Sequence, residues 1–186
     1  MKVISTSLPG VLILEPQVFG DSRGFFYESY NERTFCVAGI EDHRFVQTNV
    51  SRSARGVLRG LHYQWPNPQR KLVSVIEGEV YDVAVDIRHG SPTFGQSVSV
   101  MLTADNHRHF WVPEGFAHGF CVLSEFATFT YQCTALYDPK ADAGIRWNDA
   151  ALGIDWPISA PLLSDKDGNT PLLQDVPAER LPVFVP

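Results

Sequence analysis

The chain predicts a mainly β protein, a jelly-roll β-barrel with a few short helices, on three observations. Four runs in the middle of the chain, at 71–76, 79–86, 96–102 and 127–133, alternate apolar with polar residues, the period of a strand that buries one face. Gly78, Gly90, Gly95 and Gly115, with Pro92 and Pro113, interrupt those runs where turns are needed. The length of 186 residues, with 44% hydrophobic and 19% charged, suffices for one core and is short for two. Short strands around a single core close as a sandwich or barrel, and the jelly roll fits best. The expectation is one domain over 1–186.

In chain order, the apolar run at 11–14 reads as a strand, either paired within the chain or added to the sheet of a neighbouring copy. Residues 31–38 form the clearest helix, with Asn31 as its N-cap and Gly39 as its stop. Gln47, Asn49 and Ser51 alternate, which places three polar side chains on one strand face, either solvated or lining a polar cavity. From Asp138 the alternation breaks into short helical or irregular pieces around Trp147, Trp156 and several prolines. That part, about 138–186, reads as a cover packed on the barrel. The tail from 176 to 186 carries three prolines and is expected to lie extended along a neighbour or to fray.

Charge and cysteine content exclude several classes. A net charge of −6 leaves no general excess of Lys and Arg for a nucleic-acid or membrane surface, so an anion must be bound locally. Cys36, Cys121 and Cys133 are odd in number and lack metal or redox spacing, which reads as reduced, buried thiols in a cytoplasmic protein. No apolar run approaches a membrane span, and the N-terminus shows no charged-then-apolar signal pattern.

His62 stands in the segment Arg59-Gly60-Leu61-His62-Tyr63-Gln64, and His118 ends Pro113-Glu114-Gly115-Phe116-Ala117-His118. With Gly78 between them, these segments resemble the two signature motifs of cupin barrels. A cupin metal site resembles His-x-His, a Glu and a later His, whereas here Gln64 and Lys71 stand at the second His and the Glu. A divalent ion wants neutral imidazoles and a carboxylate, and an ammonium repels it. The expectation is therefore a barrel with no metal, holding a histidine, a lysine and two arginines in one pocket, a set suited to acid–base work on an anionic substrate.

The individual residues carry specific chemistry. A carboxylate such as Asp167, hydrogen-bonded to one nitrogen of His62, would fix its tautomer and leave the other nitrogen as the base; taken alone, His62 is equally a structural histidine and Asp167 a turn residue. Tyr131 and Tyr137 end the last clear strand, on one face if that strand is regular, and a phenol donates a proton or stacks on a planar base; both also fit core or rim positions. Arg23, next to Gly24, and Arg59 are the cations suited to a bidentate phosphate clamp, although unpaired surface arginines are common.

These segments together resemble the dTDP-4-dehydrorhamnose 3,5-epimerase family, cupin-fold enzymes of deoxysugar nucleotide synthesis. The matching stretches are 21–28, 47–51, 59–64, 71–78, 86–95, 113–120, 131–139 and 163–167, in order across nearly the whole chain. The resemblance implies His62 as base, oriented by Asp167, with Tyr131 as the opposed acid and Lys71 stabilising an enolate. It further implies that Arg23 and Arg59 hold a diphosphate, that Glu28, Gln47, Asn49, His118 and Lys166 line the substrate site, and that Tyr137 stacks on thymine. Asp142, at the implied nucleotide contact, is a shorter carboxylate than the Glu the family usually has there. The implied substrate is a dTDP-4-keto-6-deoxyhexose, with no metal or redox cofactor, in a homodimer. Three rivals remain at this point: a metal-dependent cupin using His62 and His118, a non-catalytic sugar-nucleotide binding module, and an epimerase of carbon 3 or carbon 5 alone.

Overall fold

The structure is a computed structural model that describes residues 1–40 and 44–185. In chain order it contains β1 (Lys2–Ser5), β2 (Leu12–Glu15), β3 (Val18–Asp21), β4 (Gly24–Tyr27), α1 (Glu32–Val37), β5 (Gln47–Ala54), β6 (Leu58–Gln64) and β7 (Lys71–Glu77). It continues with β8 (Glu79–Asp86), β9 (Ser97–Thr103), β10 (His109–Val112), β11 (Phe116–Val122), β12 (Phe126–Cys133), β13 (Asp142–Gly144) and α2 (Asp165–Gly168). Two antiparallel sheets form the barrel, one of six strands in the order β1-β2-β10-β7-β12-β5 and one of five in the order β13-β6-β11-β8-β9. The alternation in the sequence thus produces the jelly roll it predicts, and β3 with β4 makes a separate two-stranded hairpin.

Period-two geometry decides which side chains meet inside. Val73, Val75 and Phe129 of the larger sheet face Val80, Ala84, Phe116 and Phe120 of the smaller one in a single buried cluster. Each valine and phenylalanine among them stabilises the fold by roughly 1.5–3 kcal/mol. The same inward phase carries Lys71, Tyr131, Asp82 and His118, so the barrel interior turns from apolar to polar along its strands. Gly78 makes the tight β7–β8 connection possible, with φ at +79° and an added Cβ falling 2.1 Å from the Phe126 carbonyl oxygen.

Covering elements pack on both outer faces, on that of the six-stranded sheet only in part, since Val50 and Ile76 stay exposed. Phe35 of α1 and Ile40 pack on Leu14, Leu72 and Trp111 outside the six-stranded sheet. Asn31 caps α1 by accepting a 3.2 Å hydrogen bond from the Thr34 amide, and Gly39 ends it with φ at +83°. Outside the five-stranded sheet, Ile145, Leu152, Leu173 and Leu181 of the C-terminal segment pack on Leu61, Tyr63, Val83 and Val85. That segment also contains a strand the sequence pattern does not reveal: β13 pairs with the edge of β6, placing Gly144 opposite His62. Of the tail, the backbone at Val183 bridges to His89, and Pro186 lies outside the described residues. The run at 11–14 becomes β2, paired within the chain to β1 and β10.

Candidate active site

A cavity of about 180 Å³ opens at the polar end of the barrel, lined by Ser51, Arg59, His62, Lys71, His118 and Tyr131 over a floor of Phe120 and Phe129. The topology gathers these residues from both sheets. His62 on β6 and His118 on β11 are direct cross-strand partners, while Tyr131 on β12 pairs with Val73 on β7, two residues beyond Lys71.

Asp167 reaches the cavity from α2. Its Oδ1 lies 2.5 Å from His62 Nε2, and its Oδ2 accepts from the Ser164 hydroxyl at 2.8 Å. Burial would raise the Asp167 carboxyl, but hydrogen bonds from His62, Ser164 and the Gly60 amide outweigh it and hold the group below the usual carboxylate value. An ionised Asp167 takes a hydrogen from Nε2 of His62, which leaves Nδ1 as the nitrogen with a free lone pair. Burial lifts the Tyr131 phenol above its ordinary value and keeps it a proton donor at neutral pH. Burial lowers the Lys71 ammonium, and nearby negative groups offset part of that change.

The rim is tied together by side chains. Tyr137 donates to Asp142 Oδ2 at 3.0 Å, and Lys166 donates to the same oxygen. Gln47 accepts from the Tyr137 amide at 2.8 Å and donates to Asn49 at 3.0 Å. Gln64, at the position of a cupin metal ligand, instead fixes the backbone: it accepts from the Asp138 amide at 2.9 Å and donates to the carbonyls of Leu136 and Asn67. β12 stops at Cys133, opposite the first residues of its partner strands, Lys71 of β7 and Gln47 of β5, and Tyr137 lies beyond it. Tyr131 is half-buried inside and Tyr137 is exposed at the rim, so the two tyrosines do not share a regular strand face.

Two residues of the expected set stand apart. Arg23 is at the tip of the β3–β4 hairpin, exposed and ion-paired to Asp21 at 2.5 Å, beside Phe19, Phe25 and Phe26 rather than beside Arg59. Glu28 follows the same hairpin and accepts from Asn31 at 2.9 Å. Within one chain the expected pair of arginines is therefore not assembled, since Arg23 and Arg59 line separate cavities. Among the described residues no group of three His, Cys, Asp or Glu side chains is placed to hold a metal ion. Among the described residues no helix is long and apolar enough to cross a membrane. A wider groove of about 390 Å³ lined by Tyr30, Ser74 and His109 carries no comparable acid–base set, since burial lowers His109 to about 4.

A profile of the dTDP-4-dehydrorhamnose 3,5-epimerase family matches residues 5–175. The chain belongs to this family. It is 58% identical over 175 residues to the dTDP-4-dehydrorhamnose 3,5-epimerase of Salmonella typhimurium, covering 93% of this chain and 96% of that one. The enzyme of the same name from Pseudomonas aeruginosa is 58% identical over 168 residues, covering 90% and 93%. A Legionella pneumophila 3,5-epimerase, solved in complex with dTDP-4-keto-L-rhamnose, superposes with a TM-score of 0.97 at 52% identity, over 100% of this chain and 99% of that one. The barrel is thus the cupin fold of these epimerases.

Two members of the site escape motif reading. Asp82 lies behind His118, with Oδ1 2.8 Å from its Nε2. The available signal is its phase: a carboxylate at an inward position between Val80 and Ala84. Ser51 lines the cavity through the inward phase of β5, the continuation of the Gln47 and Asn49 face.

Proposed function

We propose that this chain inverts carbons 3 and 5 of dTDP-4-dehydro-6-deoxy-D-glucose to give dTDP-4-dehydro-L-rhamnose, with the His62–Asp167 pair as its base. The observation that carries the residue assignment is the cavity that combines this pair with Lys71 and the Tyr131 phenol. The protein is an isomerase of the 3,5-epimerase type.

The ketone at carbon 4 acidifies the protons on carbons 3 and 5. His62 removes one through Nδ1, and Asp167 stabilises the imidazolium that results. The electrons pass to the carbonyl oxygen, where Lys71 meets the oxyanion; a pre-positioned cation of this kind stabilises the transition state by about 3–4 kcal/mol. Tyr131 returns a proton to the opposite face, which inverts the centre. His118 and Arg59 hold the sugar and the diphosphate, and Gln47, Asn49 and Lys166 complete the rim. Tyr137 offers its exposed ring to the base, while Asp142 braces Tyr137 and Lys166.

Arg23 and Glu28 join this set in a homodimer. The hairpin that carries Arg23 exposes Phe19, Phe25 and Phe26 at 57%, 64% and 69%, an apolar surface suited to a second copy. Such docking would carry Arg23 to the partner's cavity. Three free thiols fit a reducing, cytoplasmic setting.

The test is the configuration of the product. Incubation with dTDP-4-dehydro-6-deoxy-D-glucose and NMR analysis should give the L-rhamno-configured ketosugar. Inversion at a single carbon would replace this reading with a single-centre epimerase, and unchanged substrate would leave a binding module.

A further inference from the structure

Arg59 enters the cavity through an irregularity in β6. Arg59 and His62 are three residues apart, a spacing that puts side chains on opposite faces of a regular strand. Their cross-strand partners on β11, Phe120 and His118, are only two apart. β6 therefore carries one extra residue here, a bulge that lets both side chains line one cavity. Gly60 permits it, with φ at +127° and an added Cβ falling 2.5 Å from the Gly119 Cα. The bulge sets where the Arg59 backbone sits, whereas the direction of its guanidinium depends on side-chain contacts.

Ser53 makes that contact. Gln47, Asn49, Ser51 and Ser53 alternate along the inward face of β5, and Ser53 is 5% exposed, opposite Ala127 of the core. A hydroxyl at this depth needs a hydrogen-bond partner, and it accepts from Arg59 Nε at 3.1 Å. Among the described residues Arg59 makes no other hydrogen bond and no ion pair. Arg23, Arg52, Arg70, Arg88 and Arg108 are by contrast each ion-paired to a carboxylate. A carboxylate beside Arg59 would orient the guanidinium but would also cancel its charge and compete for the hydrogens that an anion takes. A neutral hydroxyl on Nε orients without neutralising, and it leaves the hydrogens of both Nη nitrogens for a ligand.

We propose that Ser53 is a positioning residue for anion binding: it anchors Arg59 through Nε so that Nη1 and Nη2, with their charge uncompensated, meet the diphosphate of a nucleoside diphosphate sugar. Ser53 is buried, does not line the cavity and acts only through Arg59. The inference rests on the reading of Arg59 as a diphosphate ligand.

The test is calorimetric titration with dTDP, which needs no turnover, of wild type, Ser53→Ala, Arg59→Ala and the double variant. Ser53→Ala removes one oxygen and should weaken dTDP binding about fivefold, with KM for the sugar nucleotide rising alike and kcat staying within about twofold. Ser53→Thr, which keeps the hydroxyl, should bind dTDP within about twofold of wild type. Added to Arg59→Ala, the Ser53→Ala change should cost nothing further, because the hydroxyl has no other route to the ligand. Undiminished dTDP affinity in Ser53→Ala, or the same loss in the Arg59→Ala background, overturns the proposal. Undiminished affinity in Arg59→Ala removes Arg59 from the diphosphate, and Ser53 with it. A wild type that binds dTDP but does not epimerise would sink the epimerase reading, and the comparison of the four proteins would still decide the role of Ser53.

Discussion

His62→Ala removes a ring held through Nε2 by the Asp167 carboxylate, with Nδ1 left to take the substrate proton. Turnover should drop by at least about a hundredfold while circular dichroism and the melting profile stay native; near-normal turnover would end the base assignment. Tyr131→Phe keeps the ring and loses the proton, so epimerisation should suffer more than exchange of the substrate proton with solvent, measured in deuterated water. Equal loss of both would make Tyr131 structural. Asp167 makes a pH-dependent contribution to stability. Its carboxyl is held below its ordinary value near 3.8, so its stabilisation is present above that value and lost as pH falls through the lower folded one. The stability gap between wild type and Asp167→Asn, from urea unfolding, should narrow below about pH 4; a constant gap would contradict the hydrogen-bonded carboxylate. His62 and Asp167 were visible as candidates because each lies in a distinct motif, yet only the fold brings them together. Asp82 was hidden because a single carboxylate within an alternating strand looks like one more outward polar residue until the phase is fixed.

At the scale of elements, the loop after β8 depends on Asp86. Its carboxylate accepts from Arg88 at 2.9 and 2.7 Å and from the hydroxyls of Ser91 and Thr93 at 2.6 Å. Burial would raise this carboxyl, but these bonds outweigh it and lower its pKa. Asp86→Ala should destabilise the fold by about 3 kcal/mol with kcat nearly unchanged, measured by denaturant unfolding and by initial rates; a loss below 1 kcal/mol would show that the loop is held by its apolar contacts. Strands such as β7, β8 and β12 were legible because short apolar-polar alternation bounded by turn residues marks them, although β7 and β8 bury side chains on both faces. β13 was not, since three residues carry no periodicity and the strand exists only because the edge of β6 is open to it. The end of β12 was legible, since the run at 127–133 stops where the strand does, whereas the placing of Tyr137 and Asp138 was hidden, because side chains of Gln47 and Gln64 hold their amides.

The whole molecule raises the question of where Arg23 acts. No spacing in the sequence tells whether the β3–β4 hairpin folds over its own barrel or projects from it, and its direction depends on packing that local pattern does not encode. In the homodimer proposed here, Phe26→Asp should shift the protein toward monomer in sedimentation velocity and raise KM together with Arg23→Ala, whereas a monomeric wild type would remove Arg23 and Glu28 from the site. The central claim concerns chemistry at two carbons within one cavity, and mass spectrometry reads it directly. Wild-type enzyme incubated with dTDP-4-dehydro-6-deoxy-D-glucose in deuterated water should place solvent deuterium at both carbon 3 and carbon 5, with His62→Ala no faster than the enzyme-free control. Label at one carbon only, or undiminished labelling by His62→Ala, would contradict the account.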